Sequence, residues 1–399
     1  MTYTAPSLRY CQRCILPDTR PGLELDAEGI CSACRAHRAA RTDIDWDARG
    51  ACFEKLAERV KALARPYDCL VPVSGGKDSH WQTIKCLEAG LHPLAVTWKT
   101  PGRTDLGQAN LTNLIELGVD HLDAQINPRV ERKFMYRTLV EVGSTAVPMH
   151  LAIFSIPMTI AAKLEIPLIV WGENSAREYV GDAEDGDSER LDSAWVAKYG
   201  VVHGTTARDW VSDDLTASEL TPYFAPDEVE LERKGVEGVF LGQFFQWDPE
   251  LAYEAARARG FQAASGGART GTYEYADVDD DFISVHHWIK WLKFGFTRSY
   301  DNLSLEIRNG RISREQAIET IARLGDETPL GDIESVCAYL GISVERFFEV
   351  VETFRNQDVW RSDEKGRWVI EDFLIEDWDW DGGPAGSAGR AASRGGGLG

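Results

Sequence analysis

Positive charge and long apolar runs are both scarce in this sequence. Lysine and arginine number 43 against 64 aspartates and glutamates, which gives a formal net charge of −21. Proteins that hold large polyanions such as tRNA usually display a basic surface, because Lys and Arg neutralise the phosphates. We therefore expect no nucleic-acid partner. No uninterrupted apolar stretch of about 18 residues occurs and residues 1–10 lack a signal-peptide pattern, so we expect a cytoplasmic protein without a membrane span.

Cysteine is also scarce, with eight in 399 residues, but four of the eight have ligand spacing. Cys11 and Cys14 form one Cys-x-x-Cys pair, and Cys31 and Cys34 form a second. Two such pairs are typical of a closed tetrahedral zinc site, and a reducing compartment argues against disulfides. We predict a structural zinc ribbon over residues 1–45, with an iron–sulfur cluster as the alternative. The remaining thiols show no ligand spacing: Cys52, Cys69, Cys86 and Cys337.

Residues 74–79 read Ser-Gly-Gly-Lys-Asp-Ser, between an apolar run and a helix-like run. Adjacent glycines permit a tight turn that directs backbone N–H groups at phosphate, and the following helix N-terminus adds partial positive charge. The common NTPase loop requires Gly-Lys followed by Ser or Thr, whereas Asp follows Lys here. We therefore predict a different phosphate-binding loop, in which a carboxylate is placed to hold Mg²⁺. Its members are Ser74, Gly75, Gly76, Lys77, Asp78 and Ser79.

Strand and helix signals alternate between residues 69 and 171. We predict strands at 69–73, 94–98, 119–124 and 167–171, and helices at 79–89, 106–117, 129–142 and 151–164, the last interrupted or kinked at Pro157. This alternation predicts an α/β fold with a doubly wound parallel sheet. Ligands of such sheets lie beyond the carboxyl ends of the strands. Trp98 and the turn Gly172-Glu173-Asn174 should therefore lie near the phosphate-binding loop.

Four segments together carry a family resemblance. They are C-Q-R-C-I-L-P-D-T-R-P-G with G-I-C-S-A-C, the loop V-S-G-G-K-D-S, the turn W-G-E-N, and K-F-G-F-T-R with E-I-R-N-G-R-I-S-R-E between residues 293 and 315. The loop resembles the PP-loop of ATP pyrophosphatases, and the set resembles the N-acetyl sugar amidotransferases over residues 10–369. Zinc-ribbon PP-loop enzymes of tRNA thiolation share the first two segments, so the specificity of the resemblance rests on the last two.

The resemblance implies ATP-dependent conversion of an acetamido group on a nucleotide-linked sugar into an acetamidino group. The amide oxygen would be adenylated with release of pyrophosphate, and a separate glutaminase would supply ammonia. ATP and Mg²⁺ would bind at the loop, where Lys77, Asp78 and Glu173 are the candidate catalytic residues. Trp98, Gly172 and Asn174 would border the nucleotide. For Trp98 the alternative is core packing, and for Asn174 it is stabilisation of the turn.

Basic residues stand out in the acidic chain near residues 290–311. Arginine binds phosphate with a planar fork, so Arg298 and Arg308 are predicted to bind the diphosphate of the substrate, with ordinary ion pairs as the alternative. The adjacent His286 and His287 are a candidate acid–base pair, although a structural role is more typical. The other basic residues of this region are Lys290, Lys293 and Arg311.

The predicted organisation has four parts: residues 1–45 as the zinc ribbon, 46–235 as the PP-loop ATP-binding domain, 236–380 as a mostly helical substrate region, and 381–399 as a disordered Gly- and Ala-rich tail. Residues 236–245 have strand character, and the acidic stretch 181–192 is predicted to be a solvated loop or lid.

Three other functions stay open at this point. A PP-loop sulfur transferase would share adenylation; such enzymes commonly need a reactive thiol near the loop, and a cluster-dependent version would use the N-terminal cysteines instead. An amide of a natural-product intermediate is an alternative acceptor, and a zinc-ribbon scaffold that only binds nucleotide is a non-enzymatic alternative. No cysteine has the local context of a glutaminase nucleophile, so an external ammonia donor is expected.

Overall fold

A five-stranded parallel sheet lies at the centre of the molecule. The computed structural model describes residues 8–182, 185–186 and 191–380. The strands are β1 (Cys69–Pro72), β2 (Pro93–Trp98), β3 (Asp120–Ala124), β4 (Leu168–Trp171) and β5 (Glu237–Phe240). Their order is β3-β2-β1-β4-β5, and every neighbouring pair is parallel. The predicted α/β fold class is confirmed.

The burial of each strand agrees with its position in the sheet. The sequence Leu-Ile-Val-Trp of β4 is buried throughout, as expected of a central parallel strand that is covered on both faces. At the edge, β3 is polar and mostly exposed. Pro72 is the last residue of β1, where the missing N–H of proline disturbs the sheet least.

Helices cover both faces of the sheet and form most of the C-terminal region. Five follow the N-terminal cysteines or alternate with the first strands: α1 (Ser32–Thr42), α2 (Trp46–Lys61), α3 (Lys77–Glu88), α4 (Asp105–Ile115) and α5 (Pro128–Val142). Four lie around the later strands: α6 (Val147–Leu164), α7 (Ser193–Tyr199), α8 (Glu228–Lys234) and α9 (Pro249–Arg257). Five more make the C-terminal region helical, as predicted: α10 (Ile283–Phe294), α11 (Arg298–Arg308), α12 (Arg314–Leu324), α13 (Leu330–Leu340) and α14 (Val344–Glu352). A two-stranded antiparallel sheet follows, β6 (Trp360–Ser362) with β7 (Trp368–Ile370).

The prediction for α6 was wrong in detail. The helix begins at Val147 and is continuous through Pro157. Most of its side chains are packed in the core, so tertiary contacts outweigh the backbone hydrogen bond that proline removes. By length and composition α6 is apolar enough to cross a membrane, but 56% of that window is buried inside the protein, as in a core helix.

The strand predicted at residues 236–245 is shorter in the structure. β5 ends at Phe240, and a turn of 3₁₀-helix, Leu241–Gln243, follows it. The chain turns here because the backbone N–H of Gly242 donates to the carbonyl of Gly172 at 3.1 Å. This hydrogen bond holds residues 241–243 against the carboxyl end of β4.

The cysteine-rich segment shares a hydrophobic core with the C-terminal helices. Its cysteines pack in one cluster with side chains of α10, α11, α13 and α14. Among described residues 8–45 the secondary structure is α1 and two isolated β-bridges, Tyr10 with Pro17 and Leu25 with Cys31. The predicted ribbon is therefore not confirmed. The four-part domain division stays a prediction, and residues 1–7 and the tail 381–399 lie outside the described residues.

The strand order fixes where a ligand site belongs. The chain moves outward from β1 through β2 to β3, then returns to place β4 on the other side of β1. This reversal opens a crevice between the carboxyl ends of β1 and β4, the place where open α/β sheets bind ligands. The Ser-Gly-Gly-Lys-Asp-Ser loop and the Gly172-Glu173-Asn174 turn follow these two strands.

Candidate active site

The loop after β1 is held in a narrow turn by α4. Gly75 has φ +96°, and a Cβ at this position would lie 2.9 Å from both the carbonyl oxygen of Gly107 and the backbone nitrogen of Leu111. Only glycine fits a left-handed backbone this close to another helix. Within the loop, the N–H of Ser74 donates to the hydroxyl of Ser79 at 2.9 Å. The loop conformation is thus fixed by its own sequence and by α4.

Helix α3 begins inside the loop without a side-chain cap. Gly76 occupies the position before the first turn and has no side chain to accept from the helix N–H groups. Both α2 and α4, by contrast, have capping side chains, from Asp45 and Thr104. An uncapped N-terminus directs its N–H groups and its partial positive charge at an anion. The start of α3 is therefore suited to bind phosphate.

Lys77 and Asp78 form an ion pair at the start of α3. The Lys77 Nζ lies 2.5 Å from Oδ2 of Asp78, and Trp247 donates its Nε1–H to Oδ1 at 3.0 Å. The ammonium group also lies 5.8 Å from the ring centroids of Trp247 and Tyr275. Lys77 is only 6% exposed. The burial of its stem keeps the positive charge beside the loop.

Glu173 lies at the carboxyl end of β4, in the electrostatic environment of the same ion pair. Burial and the charge of Asp78 raise the pKa of Glu173 to about 7, while Lys77 and Arg298 act in the opposite direction. Carboxylate oxygens are the protein ligands that Mg²⁺ prefers, usually one or two of them with substrate phosphates. Asp78 and Glu173 fit that requirement. Their catalytic roles stay predictions.

A second loop, residues 275–281, lies against the phosphate-binding loop and was missed by sequence reasoning. A Cβ at Gly107 of α4 would lie 2.5 Å from Cα of Asp279. The backbone of α4 therefore contacts both loops, and no side chain of Gly107 lies between them. Burial raises the pKa of Asp279, and a hydrogen bond from Ser74 opposes this shift. The sequence Asp-Val-Asp-Asp-Asp at residues 277–281, just before α10, was the signal available. It resembles an ordinary solvated acidic run.

Arg298 lies near the site, among buried charges. It is the first residue of α11, and its Nε lies 3.5 Å from Oδ2 of Asp277. Asp277 has a left-handed backbone with φ 55°. Its Oδ1 lies 3.8 Å from Nε2 of His287, whose pKa burial lowers to about 4. The ring centroid of His286 lies 5.8 Å from that of His150 and 5.3 Å from that of His287. The two adjacent histidines are thus in contact, and their role as an acid–base pair stays a prediction.

Arg308 lies in a different place from Arg298. It is 3% exposed, and its guanidinium donates to the backbone carbonyls of Ser304 at 3.1 Å and Glu178 at 2.8 Å. Its charge interacts with the cysteine cluster rather than with the loop. The structure therefore does not bring Arg308 to the loop with Arg298. The remaining basic residues differ too, since Lys293 donates to the carbonyl of Val142 and Arg311 pairs with Asp248.

The turn after β4 has structural roles at two of its three residues. A Cβ at Gly172 would lie 2.2 Å from the Gln82 side chain, so glycine is required for packing against α3. Asn174 is 1% exposed. Its Oδ1 accepts from the N–H of Ala176 at 3.0 Å, and its Nδ2 donates to the carbonyl of Asp185 at 3.1 Å. Asn174 thus stabilises the turn, and its predicted contact with nucleotide is not tested.

Asn174 also fixes part of the acidic stretch predicted as a lid. Lys198 pairs with Asp182 at 3.0 Å and with Asp185 at 2.7 Å, and the Tyr199 hydroxyl donates to both carboxylates. These two acidic residues are therefore paired within the protein. Residues 183–184 and 187–190 of this stretch lie outside the described residues.

Trp98 faces α5 at the end of β2. Its Nε1–H donates to Oε1 of Glu131 at 3.1 Å. Burial raises the pKa of Glu131 to about 7, while the hydrogen bonds from Trp98 and Tyr339 lower it. The indole also borders a small cavity with Asp280 and His286. This position is compatible with core packing, and a contact between Trp98 and adenine stays a prediction.

The four N-terminal cysteines form one buried cluster. Their sulfur atoms all lie within 4.8 Å of one another, and the Sγ atoms of Cys14 and Cys31 are 3.7 Å apart. A tetrahedral zinc site with bonds of about 2.3 Å requires sulfur separations of about 3.8 Å. Cys11, Cys14, Cys31 and Cys34 therefore fit a closed structural metal site. Four thiolates around Zn²⁺ leave negative charge, which the buried Arg308 is placed to offset.

The C-terminal part of the chain matches a family model. Residues 269–374 are similar to the family described as "LPS biosynthesis protein WbpG-like, C-terminal domain". This segment contains Asp277, Lys290 and Arg298 and covers less than half of the chain. No curated protein matches the chain.

A comparison with solved structures found matches to this chain. One, "Structure of NMN synthetase from Francisella tularensis", aligns over 71% of this chain and 96% of its own length. Its sequence identity is 12% and its TM-score 0.33, so it carries no argument about function.

Replacing Cys11 with Ser should remove the metal and destabilise the protein, because one lost thiolate breaks a closed tetrahedral site. Elemental analysis of the wild type should find about one zinc per chain, and a Cys52→Ser control at an exposed cysteine should retain it. Iron with a visible charge-transfer band, and no zinc, would contradict the zinc prediction.

Gly75→Ala should abolish nucleotide binding and cost about 1–3 kcal/mol of stability, because the left-handed backbone is strained and the new methyl meets α4. Gly118→Ala is the matched control, since Gly118 has φ +101° with nothing within 4 Å of its Cβ position. The control should lose stability but retain nucleotide binding by calorimetry. Equal binding by both variants would contradict the assigned loop geometry.

Glu173→Gln should stabilise the protein at pH 8 by about 1–3 kcal/mol and by less at pH 5. A buried carboxyl with a pKa near 7 favours the folded state below its ordinary pKa of 4.5, and this contribution is lost as the pH rises through 7. Denaturant titration at both pH values measures the difference. The exposed Glu116→Gln serves as control, and a gain that does not grow with pH would contradict the buried position of Glu173.

Proposed function

We propose that this protein is an ATP-dependent enzyme that activates an amide carbonyl by adenylation and replaces its oxygen with nitrogen. The observation that carries the proposal is the site at the crevice between β1 and β4. There the uncapped start of α3, the Lys77–Asp78 ion pair and Glu173 meet at one point. This arrangement offers backbone N–H groups and a lysine for phosphates, and two carboxylates for Mg²⁺.

The reaction that fits this site has two steps. The amide oxygen attacks the α-phosphorus of ATP, a bond forms between them, and pyrophosphate leaves with the electron pair of the broken P–O bond. Ammonia then attacks the amide carbon, AMP leaves with the former amide oxygen, and a proton is released to give the amidine. Adenylation is needed because the oxygen of an amide is a poor leaving group.

The residues of the site divide between these steps. The loop and Lys77 would hold the β- and γ-phosphates and stabilise the negative charge that develops on pyrophosphate. Mg²⁺ supplies further charge stabilisation at the phosphates when bound, with Asp78 and Glu173 as its ligands. With a pKa near neutrality, Glu173 is also suited to orient ammonia or to take up its proton.

The acceptor we propose is an acetamido group on a nucleotide-linked sugar. Support comes from residues 269–374, which resemble a domain of lipopolysaccharide biosynthesis and contain Arg298 and Lys290 beside the site. Arg298 has the fork geometry that binds diphosphate. The expected ammonia donor is a separate glutaminase subunit, and an amide of a natural-product intermediate is the alternative acceptor.

Sulfur transfer is less well supported by the positions of the thiols. Cys69 on β1 and Cys86 on α3 are both buried and lie side by side, and this contact together with burial raises the pKa of Cys69 well above its ordinary value. A reactive thiolate needs exposure and a lowered pKa. Of the cysteines in the described residues, Cys52 is exposed, but it lies on α2.

Lys77→Ala should lower turnover by about a hundredfold or more without unfolding the protein, because its role is to stabilise the charge that develops on pyrophosphate. Lys85→Ala, which removes an exposed lysine of the same helix, is the matched control. The assay supplies a nucleotide-linked acetamido sugar, ATP and ¹⁵N-ammonium at raised pH, where more NH₃ is present.

Chromatography should find AMP and pyrophosphate, and mass spectrometry should find one ¹⁵N in the sugar. Formation of ADP and phosphate would exclude adenylation. If tRNA gains sulfur while the sugar is unchanged, the enzyme is a sulfur transferase.

A further inference from the structure

Three cations, one of them 281 residues away in the sequence, surround the carboxylate of Asp301 on α11. Arg20 places its Nε 2.9 Å from Oδ1, and Lys290 of α10 places its Nζ 3.7 Å from Oδ2. Arg298, one turn before Asp301, places a terminal nitrogen 3.8 Å from Oδ2. We call Arg20, Lys290 and Arg298 the cationic cluster.

The three cations of the cluster are more accessible to solvent than the carboxylate that they surround. The side chain of Asp301 is 1% exposed, whereas those of Arg20, Lys290 and Arg298 are 13%, 21% and 17% exposed. The carboxylate therefore lies beneath the three positive groups. An anion that approaches from solvent would meet the cations first.

The negative groups in contact with the cluster do not balance its charge. Asp301 and Asp277 are the carboxylates within 4 Å of its members among described residues, so three positive charges face two negative ones. In addition, Nε of Arg298 faces Oδ2 of Asp277 at 3.5 Å, and neither atom makes a hydrogen bond in the described structure. A purely structural network usually satisfies its buried polar atoms. The excess of one positive charge fits a ligand anion instead.

Aromatic residues connect the cluster to the proposed ATP site. The Tyr179 ring lies 5.8 Å from the guanidinium carbon of Arg20 and 5.7 Å from that of Arg298. The centroid of the Trp247 ring lies 6.2 Å from that of Tyr179, and Trp247 donates a hydrogen bond to Asp78. The cationic cluster is therefore next to the phosphate-binding loop rather than at a separate surface.

Contacts of the cysteine-rich segment with the rest of the protein position Arg20. The neighbouring Thr19 donates its hydroxyl to the carbonyl of Phe294, at the end of α10, at 2.6 Å. Two residues after Arg20, Gly22 packs closely against Val180: a Cβ at Gly22 would lie 3.0 Å from Cγ1 of Val180. Arg20 lies six residues after Cys14. The metal site and the contact of Thr19 with α10 fix the backbone before Arg20, and the contact of Gly22 with Val180 fixes it after.

We propose that Arg20 is a substrate-binding residue, and that with Lys290 and Arg298 it forms a subsite for the diphosphate of a nucleotide-linked substrate. Asp301 holds the three cations in place until the diphosphate binds and shares them. This inference rests on the proposed function and adds to it a residue of the cysteine-rich segment. In this view the segment contributes directly to substrate binding as well as to stability.

Calorimetric titrations of the full-length, metal-loaded protein test the proposal. The loop is first saturated with Mg²⁺ and the α,β-methylene analogue of ATP, and UDP-N-acetylglucosamine is then added. Inorganic pyrophosphate is the second probe, because it tests the subsite without the sugar. The variants are Arg20→Gln, Asp301→Asn and, as matched control in the same segment, Arg9→Gln, whose side chain is 68% exposed.

Arg20→Gln should lower the affinity for both probes by about ten- to hundredfold, as expected for a lost hydrogen bond between charged groups. Its affinity for the ATP analogue and its zinc content should not change, and Arg9→Gln should behave as the wild type. Asp301→Asn should melt at a lower temperature and bind both probes more weakly than the wild type, because Asp301 holds the three cations in place.

The proposal is overturned if Arg20→Gln or Asp301→Asn binds both probes as the wild type does, or if the wild type binds neither probe. Failure of the wild type to bind the ATP analogue is a separate result, and it contradicts the proposed function itself.

Discussion

The buried carboxylate of Asp301 holds the cysteine-rich segment against the C-terminal helices, which lie far from it in the sequence. Arg20, Lys290 and Arg298 all approach it, from the cysteine-rich segment, α10 and the start of α11. Removing one partner of a buried ion pair typically costs about 3–5 kcal/mol, because the other charge stays buried without compensation. The N-terminal and C-terminal regions are therefore held in one geometry relative to the sheet. The position of the substrate site depends on this constraint.

The site consists of a general part and a specific part. The loop after β1 and the turn after β4 follow from the reversal of strand order, and such crevices bind many nucleotides. Specificity for an acceptor must come from residues that the sheet does not supply. In the proposed function they come from the C-terminal helices and from the cysteine-rich segment, which share one hydrophobic core. A metal at the four cysteines would in this way contribute to substrate binding.

The sheet and the tight turn of the loop after β1 could be predicted because their signals are local. Alternating strands and helices, two adjacent glycines and the Cys-x-x-Cys spacing each depend on residues near one another in the sequence. Arg298 and Arg308 show where local reasoning fails. They lie ten residues apart at opposite ends of α11, about 15 Å along its axis, so one reaches the loop region and the other the cysteine cluster. The contact between Arg20 and Asp301 spans 281 residues and leaves no pattern in either segment.

The central claim is that the amide oxygen itself attacks the α-phosphorus of ATP at the loop. Isotope transfer tests this directly, with a nucleotide-linked sugar whose acetamido oxygen is ¹⁸O. After turnover with ATP and ammonia, mass spectrometry should find the ¹⁸O in AMP and none in pyrophosphate. Recovery of ¹⁸O in inorganic phosphate, or of unlabelled AMP beside an aminated sugar, would contradict the account.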